Sequence, residues 1–256
     1  MEERNLVSAL RPLLAIGLQM IKHLARTFYR RLLPKEHANT GPFFHCLSAL
    51  GYRPDHVVDI GAHKGAWTRS ALAHFPEAQY TLFEPQRDLL ETQRDLVRPN
   101  IKRFYVGVGP HSGALNLTKS RRRDSYSFAW SEQEALASNR EQINVKVVAL
   151  DPFLKENRLP APSILKIDAE GWDLEVVKGA ENAVRVADIV LLEAGVMNKR
   201  FKNTAYRVIE AMETRGLILF DITDLNRTPT YKGLWNVELA FVKKGGPLER
   251  AIDAYR

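Results

Sequence analysis

The stretch Val57–Thr68, VVDIGAHKGAWT, decides the fold class. An apolar run leads into Asp59, Ile60 and Gly61. Gly65 then opens a segment whose apolar residues Trp67, Ala71, Leu72 and Phe75 recur at helical spacing. A buried strand that turns through glycines into a helix is a ligand-binding turn. Gly61 lets the backbone reverse tightly, and Gly65 lets helix and ligand come close. The spacing is not that of a dinucleotide fingerprint, because an acid, Asp59, stands ahead of the first glycine. A carboxylate there repels a pyrophosphate but accepts a hydrogen bond from an ammonium group. That favours the amino-acid part of S-adenosylmethionine over NAD.

Working outward, Gln79–Phe83 reads as a second buried strand, followed by Glu84-Pro85. An acid at this strand end, about 20 residues past the glycine turn, is placed for the hydroxyls of a ribose. Ile101–Val108 reads as a third strand, with Gly107 and Val108 forming one wall of a flat adenine pocket. A third signature is Ser163–Ala180, SILKIDAEGWDLEVVKGA. Ile164–Ile167 is its strand, and Asp168, Glu170 and Gly171 stand at the exit. Lys166 and Asp168 are two residues apart and share a strand face. The ligand crevice of an open α/β sheet lies outside the carboxyl ends of its strands. Ionisable groups gathered there exceed what a core needs, since buried charge is costly unless used or paired. Asp188–Leu192 leads to Glu193 at the next strand end. Leu217–Phe220 and Val237–Val242 close the sheet as a strand pair with one member antiparallel.

Two departures from the β-α-β rhythm are expected. Gly113–Thr118 and Asn144–Leu150 pair as a hairpin with a long insert carrying Arg121, Arg122, Arg123, Tyr126, Phe128 and Trp130. Basic beside aromatic side chains suit a phosphate, a sugar face or nucleic acid. Arg123, Tyr126 and Glu193 are the substrate-binding candidates. Residues 1–38 form an N-terminal extension ahead of a domain over residues 39–256. Its leucines recur at three- and four-residue steps opposite Arg11, Lys22, Arg26, Arg30 and Arg31. Such an amphipathic helix packs on its own domain, joins two copies as a homodimer, or lies on an anionic membrane.

Composition bounds the rest. The 256 residues are 45% hydrophobic and 26% charged, ordinary for a soluble globular chain, with a net charge of +7. A single cysteine, Cys46, excludes an intrachain disulfide and a cysteine-built zinc site. No run of 18 uncharged apolar residues exists, so no spanning helix is expected. Nor is a cleavable signal peptide, which points to the cytoplasm, with the N-terminal helix peripheral to the inner face of the membrane.

With these signatures in order, the chain resembles the FkbM family of S-adenosylmethionine-dependent methyltransferases over roughly residues 55–245. VVDIGAHKGAWT, LFEP, the hairpin after strand three, VVALDPFL and LKIDAEGWDLEVVKGA match in order and spacing. The resemblance implies an α/β fold with a doubly wound, seven-stranded Rossmann-like methyltransferase sheet. It implies methylation of hydroxyl groups on sugars, glycolipids or polyketide-type metabolites, with a glycan or small molecule as partner. Cofactor contacts are implied for Asp59, Gly61, Gly65 and Glu84, and a place at the reaction centre for Lys166, Asp168 and Glu170. His63 stands where the family commonly has asparagine, and both tolerate a left-handed backbone. Asp168 is expected as general base, oriented by Lys166. Asp168 and Glu193 would suit a divalent metal but lack a third ligand, so no metal is assigned. Two rivals stay open: an RNA methyltransferase and a cofactor-binding scaffold without catalysis. No recognised RNA-binding module is present, so nucleic acid is not expected as a partner.

Overall fold

The computed structural model describes residues 40–120, 126–197 and 202–253. The N-terminal amphipathic helix, and Arg121–Arg123 of the insert, lie outside those residues.

In chain order the elements are α1 (Thr40–Ala49), β1 (His56–Ile60), α2 (Ala66–His74), β2 (Gln79–Phe83), β3 (Ile101–Phe104), β4 (Gly107–Val108) and β5 (Gly113–Thr118). They continue with α3 (Glu132–Ala137), β6 (Gln142–Val148), α4 (Leu150–Glu156), β7 (Ile164–Ile167), α5 (Asp173–Gly179) and α6 (Glu181–Val186). Last come β8 (Ile189–Gly195), α7 (Ala205–Glu213), β9 (Leu217–Arg227), β10 (Leu234–Lys243) and α8 (Pro247–Asp253). Seven strands form one sheet in the order β3-β2-β1-β7-β8-β10-β9. β10 runs antiparallel to both of its neighbours, and the remaining pairs are parallel.

All five residues of β1 are buried, as a central parallel strand covered on both faces requires. Val58, Ile60, Leu165, Ile167, Val190 and Leu192 pack under α4 to α7 on one face. Val57, Tyr80, Leu82, Ile164 and Leu191 pack under α1 and α2 on the other. Side-chain alternation carries Asp59 and Lys166 onto the second face, where they are direct cross-strand partners. Lys166 faces Leu191 in turn, and two residues on, Glu193 faces Glu238. The second core therefore ends, at the carboxyl edge of the sheet, in a row of acids around one lysine. The strand order reverses between β1 and β7, which puts the crevice of the fold above that row.

Two strand expectations are corrected. The third strand stops at Phe104, and Gly107–Val108 leave the main sheet to pair with β6 in a separate sheet ordered β4-β6-β5. The segment after Glu84 is a 3₁₀ helix, Arg87–Leu96, interrupted at Gln93 (φ −111°, ψ 18°). The buried Gln93 amide reaches back to the His63 carbonyl, which fixes the interruption. The last strand pair is longer than the expected Leu217–Phe220 and Val237–Val242, because β9 runs on to Arg227 and β10 begins at Leu234. The hairpin β5–β6 is present, registered from Gly113↔Val147 to Thr118↔Gln142. Its insert carries α3, opened by a capping box between Ser131 and Glu134. Among the described residues no helix is long and apolar enough to cross a membrane.

Candidate active site

The glycine turn uses the left-handed region at alternate residues: φ is 79° at Gly61, 47° at His63 and 78° at Gly65. The N–H groups of Gly61 and Ala62 both donate to the Phe83 carbonyl, locking the turn to the end of β2. A Cβ on Gly61 would stand 1.9 Å from the Asp168 carbonyl oxygen, so only glycine fits between the ends of β1 and β7. At Gly65 a Cβ would meet Leu96 Cδ1 at 2.4 Å. The close approach there is to the 3₁₀ segment rather than to a ligand. Glu84 clamps the turn from β2. Its Oε2 accepts from His63 N–H and its Oε1 from Gln86 N–H, each at 2.8 Å. Each oxygen keeps a second lone pair for a ribose hydroxyl. Burial pushes the Glu84 carboxyl up to about 7.

Asp59 is sealed beneath this turn at 0% exposure. Its Oδ2 accepts from Thr68 Oγ1 at 2.5 Å, and Lys166 Nζ stands 3.8 Å from Oδ1. The ammonium facing Asp59 is therefore the chain's own, and a direct contact to a ligand's ammonium group is corrected. Lys166 is itself buried, with Nζ 3.1 Å from Asp168 Oδ2 and 5.7 Å from the centre of the Trp67 ring. Burial pulls this ammonium down, but Asp168, Asp59 and Glu238 outweigh it and hold the group above its ordinary value. Burial likewise pushes the Asp59 carboxyl up, against the pull of Lys166 and Thr68. Asp168, with its side chain 28% exposed, is the member of this row that reaches the crevice.

Past Asp168 the chain turns through Glu170 (φ 50°) and Gly171 (φ 92°) into α5. Asp173, unmarked in the sequence reading, builds this turn. It accepts from the N–H groups of Ala169 and Gly171 and from Asn203 Nδ2 at 2.8 Å. Asn203 also donates to the Glu193 carbonyl at 3.3 Å, tying the exits of β7 and β8 together. An aspartate two residues past Gly171 was a visible signal for such a cap. Asn203, in a loop, gave none.

Glu193 retains some exposure at the end of β8, and its Oε1 accepts from Asn236 Nδ2 at 3.0 Å. Burial first, then Asp168, Glu170 and Asp173, push its carboxyl well above the ordinary range. The insert reaches this centre from the side. Ser127 Oγ donates to the Glu170 carbonyl at 2.7 Å, next to the half-buried Tyr126. Phe128 lies against Gly107, where a Cβ would meet its Cζ at 2.6 Å. Gly107 and Val108 are buried under Phe128 and Val147 and so are not the open adenine wall expected of them. Among the described residues no group of three or more His, Cys, Asp or Glu side chains is set to hold a metal ion.

Glu238 completes the buried row, with Thr223 Oγ1 donating to its Oε1 at 2.6 Å and burial raising its carboxyl from 4.5 to about 7. The folded chain keeps that proton to about pH 7, whereas the unfolded chain releases it near 4.5. Stability therefore falls as pH rises through that window. Glu238→Gln should flatten the decline in melting temperature between about pH 5 and 8, with Glu84 keeping its own share. Melting curves of the two proteins with the same slope against pH would show that Glu238 does not titrate in this way.

Residues 59–219 match the family model described as the methyltransferase FkbM domain. The chain belongs to the FkbM methyltransferase family. It is a methyltransferase of the S-adenosylmethionine-dependent kind. Over 178 residues this FkbM chain is 29% identical to the hexuronic acid methyltransferase AglP of Haloferax volcanii, covering 68% of the chain and 67% of that protein. Among solved structures it is similar to precorrin-6y C5,15-methyltransferase from Geobacter metallireducens, at 16% identity and TM-score 0.45 over 78% of this chain and 86% of the other. Human N-acetylserotonin methyltransferase in complex with SAM is similar at 9% identity and TM-score 0.40, over 81% of this chain and 52% of that one.

Proposed function

We propose that this FkbM methyltransferase transfers a methyl group from S-adenosylmethionine to a hydroxyl of a sugar or sugar-bearing acceptor. The observation that carries the cofactor reading is the left-handed turn from Gly61 to Gly65, clamped by Glu84 at the topological switch point. Gly61 and His63 would line the amino-acid part, and Glu84 would take the ribose. The likeness to a hexuronic acid methyltransferase supports a sugar acceptor.

When bound, the cofactor supplies the activated methyl group. The chain supplies position, charge and a proton acceptor. Lys166 is a fixed cation beneath the reaction centre, and Glu170, through its carbonyl, anchors the insert that carries Tyr126. Two carboxylates stand at the exits of β7 and β8. Asp168 is already engaged by the Lys166 ammonium at 3.1 Å. Glu193 carries only a neutral amide donor and sits among like charges, which strengthens it. The base role expected of Asp168 passes to Glu193 in this reading. Glu193 would hold the acceptor hydroxyl and take its proton when the activated methyl is transferred to that oxygen, S-adenosylhomocysteine being the leaving product.

The test is transfer of labelled methyl to a panel of hexosides and hexuronides, with the position read by mass spectrometry. Label on a sugar oxygen is the expected result. Label appearing only on nitrogen or carbon acceptors, or on RNA, would replace the sugar reading.

A further inference from the structure

The acid that precedes the glycines, Asp59, has no surface through which to touch a ligand. Its Oδ2 accepts from Thr68, and Lys166 Nζ stands 3.8 Å from its Oδ1. The Asp59–Lys166–Asp168 row nevertheless holds two carboxyl groups around one ammonium. Among the described residues Lys166 is the only cation within ion-pair distance of Asp168. Glu238, on the same face, adds acid rather than base. Asp168, at 28% side-chain exposure, is the member of these three that a ligand can reach. Asp168 also lies against the turn: its N–H donates to the Ile60 carbonyl at 3.0 Å, and its own carbonyl fills the space over Gly61. A cation that docks on the glycine turn meets the Asp168 carboxylate before any other described acid of the row.

Resting on the S-adenosylmethionine reading above, we propose that Asp168 is the residue that binds the cofactor's amino-acid ammonium group, with Lys166 and Asp59 as positioning residues beneath it. The row then closes as two carboxylates and two ammonium groups in alternation. Lys166 holds the Asp168 side chain in place through its 3.1 Å contact to Oδ2. Asp59 keeps Lys166 in place by filling its other side, and Thr68 ties Asp59 to α2. The acid–glycine motif would thus act on the ligand through the neighbouring strand rather than through its own carboxylate.

Isothermal titration calorimetry with two ligands tests this without any acceptor. One is S-adenosylhomocysteine, and the other is its deaminated analogue, in which hydrogen replaces the amino group. The wild-type chain should bind the deaminated compound roughly 10- to 100-fold more weakly, the range for a hydrogen bond between charged groups. In Asp168→Asn that ratio should collapse toward one, and Asp168→Glu should restore part of it. A purely structural role would weaken both ligands by the same factor and leave the ratio intact, which would overturn the proposal. Equal binding of the two ligands by the wild-type chain would overturn it as well, even where the Asn variant does not fold, while leaving the cofactor reading in place. Failure of the wild-type chain to bind S-adenosylhomocysteine at all would instead remove the cofactor reading.

Discussion

Glu193→Gln should lower turnover by about 10²- to 10⁴-fold while affinity for S-adenosylhomocysteine holds. The glutamine keeps the shape of the side chain and can still accept from Asn236 Nδ2, so the hydrogen bond at 3.0 Å survives. What it loses is the capacity to take a proton. Burial together with Asp168, Glu170 and Asp173 raises the Glu193 carboxyl well above the ordinary value, so its ionised form is a strong base for a carboxylate. The rate should then climb with pH until Glu193 has ionised, and that ascending limb should be missing in the variant. Single-turnover measurements against pH give both readouts. A Gln variant that keeps the wild-type rate and the wild-type limb would return the base role to another group, Asp168 first.

Gly61→Ala should reduce cofactor affinity by at least about 100-fold, equivalent to roughly 2.7 kcal/mol. Two costs combine at this position. The backbone is left-handed, at φ 79°, which a Cβ penalises by about 1–2 kcal/mol. The new methyl would also sit 1.9 Å from the backbone oxygen of Asp168, an atom that cannot swing aside as a side chain would. Relief requires β1 and β7 to separate where the turn and the Asp168 carboxylate must cooperate. Gly216→Ala is the control. Its φ is 78°, but nothing lies within 4 Å of the added carbon, so it carries the backbone cost alone. Calorimetric titration and thermal melting of both variants separate the effects. Gly61→Ala binding S-adenosylhomocysteine like the wild-type chain would show that the turn does not serve the cofactor.

The parts of this site that the sequence made legible are those repeated along single strands. Period-two alternation placed Lys166 with Asp168, and the glycines announced the turn at Gly61 and Gly65. The antiparallel member of the last strand pair, β10, was also readable. What stayed hidden depends on contacts across loops. Asp173 meets Asn203 across 30 residues, and Gln93 meets His63 across the same interval. No local pattern encodes either pair. The direction in which Asp59 points was misread because its ligand-like partner, Lys166, lies more than 100 residues away. Ile101–Val108 was read as one strand, but the chain bends at Val106, and a local pattern does not say which sheet its second half joins. That was settled by Phe128 and Val147, which cover Gly107 and draw it into the smaller sheet.

The hairpin insert leaves the fold and returns to it at one cross-strand pair, Thr118↔Gln142, where Gln142 Nε2 donates to Thr118 Oγ1 at 2.8 Å. It touches the turn after Asp168 through Ser127. This is the geometry of an interchangeable part. A graft from another family member could start at Thr118 and end at Gln142, leaving every strand of the main sheet intact. Recipient and donor would need in common a hydroxyl able to reach the Glu170 carbonyl and a side chain that covers Gly107 as Phe128 does. New acceptor preferences could therefore be sought by swapping the segment whole, with the buried acids and Lys166 carried over unchanged from one chimera to the next.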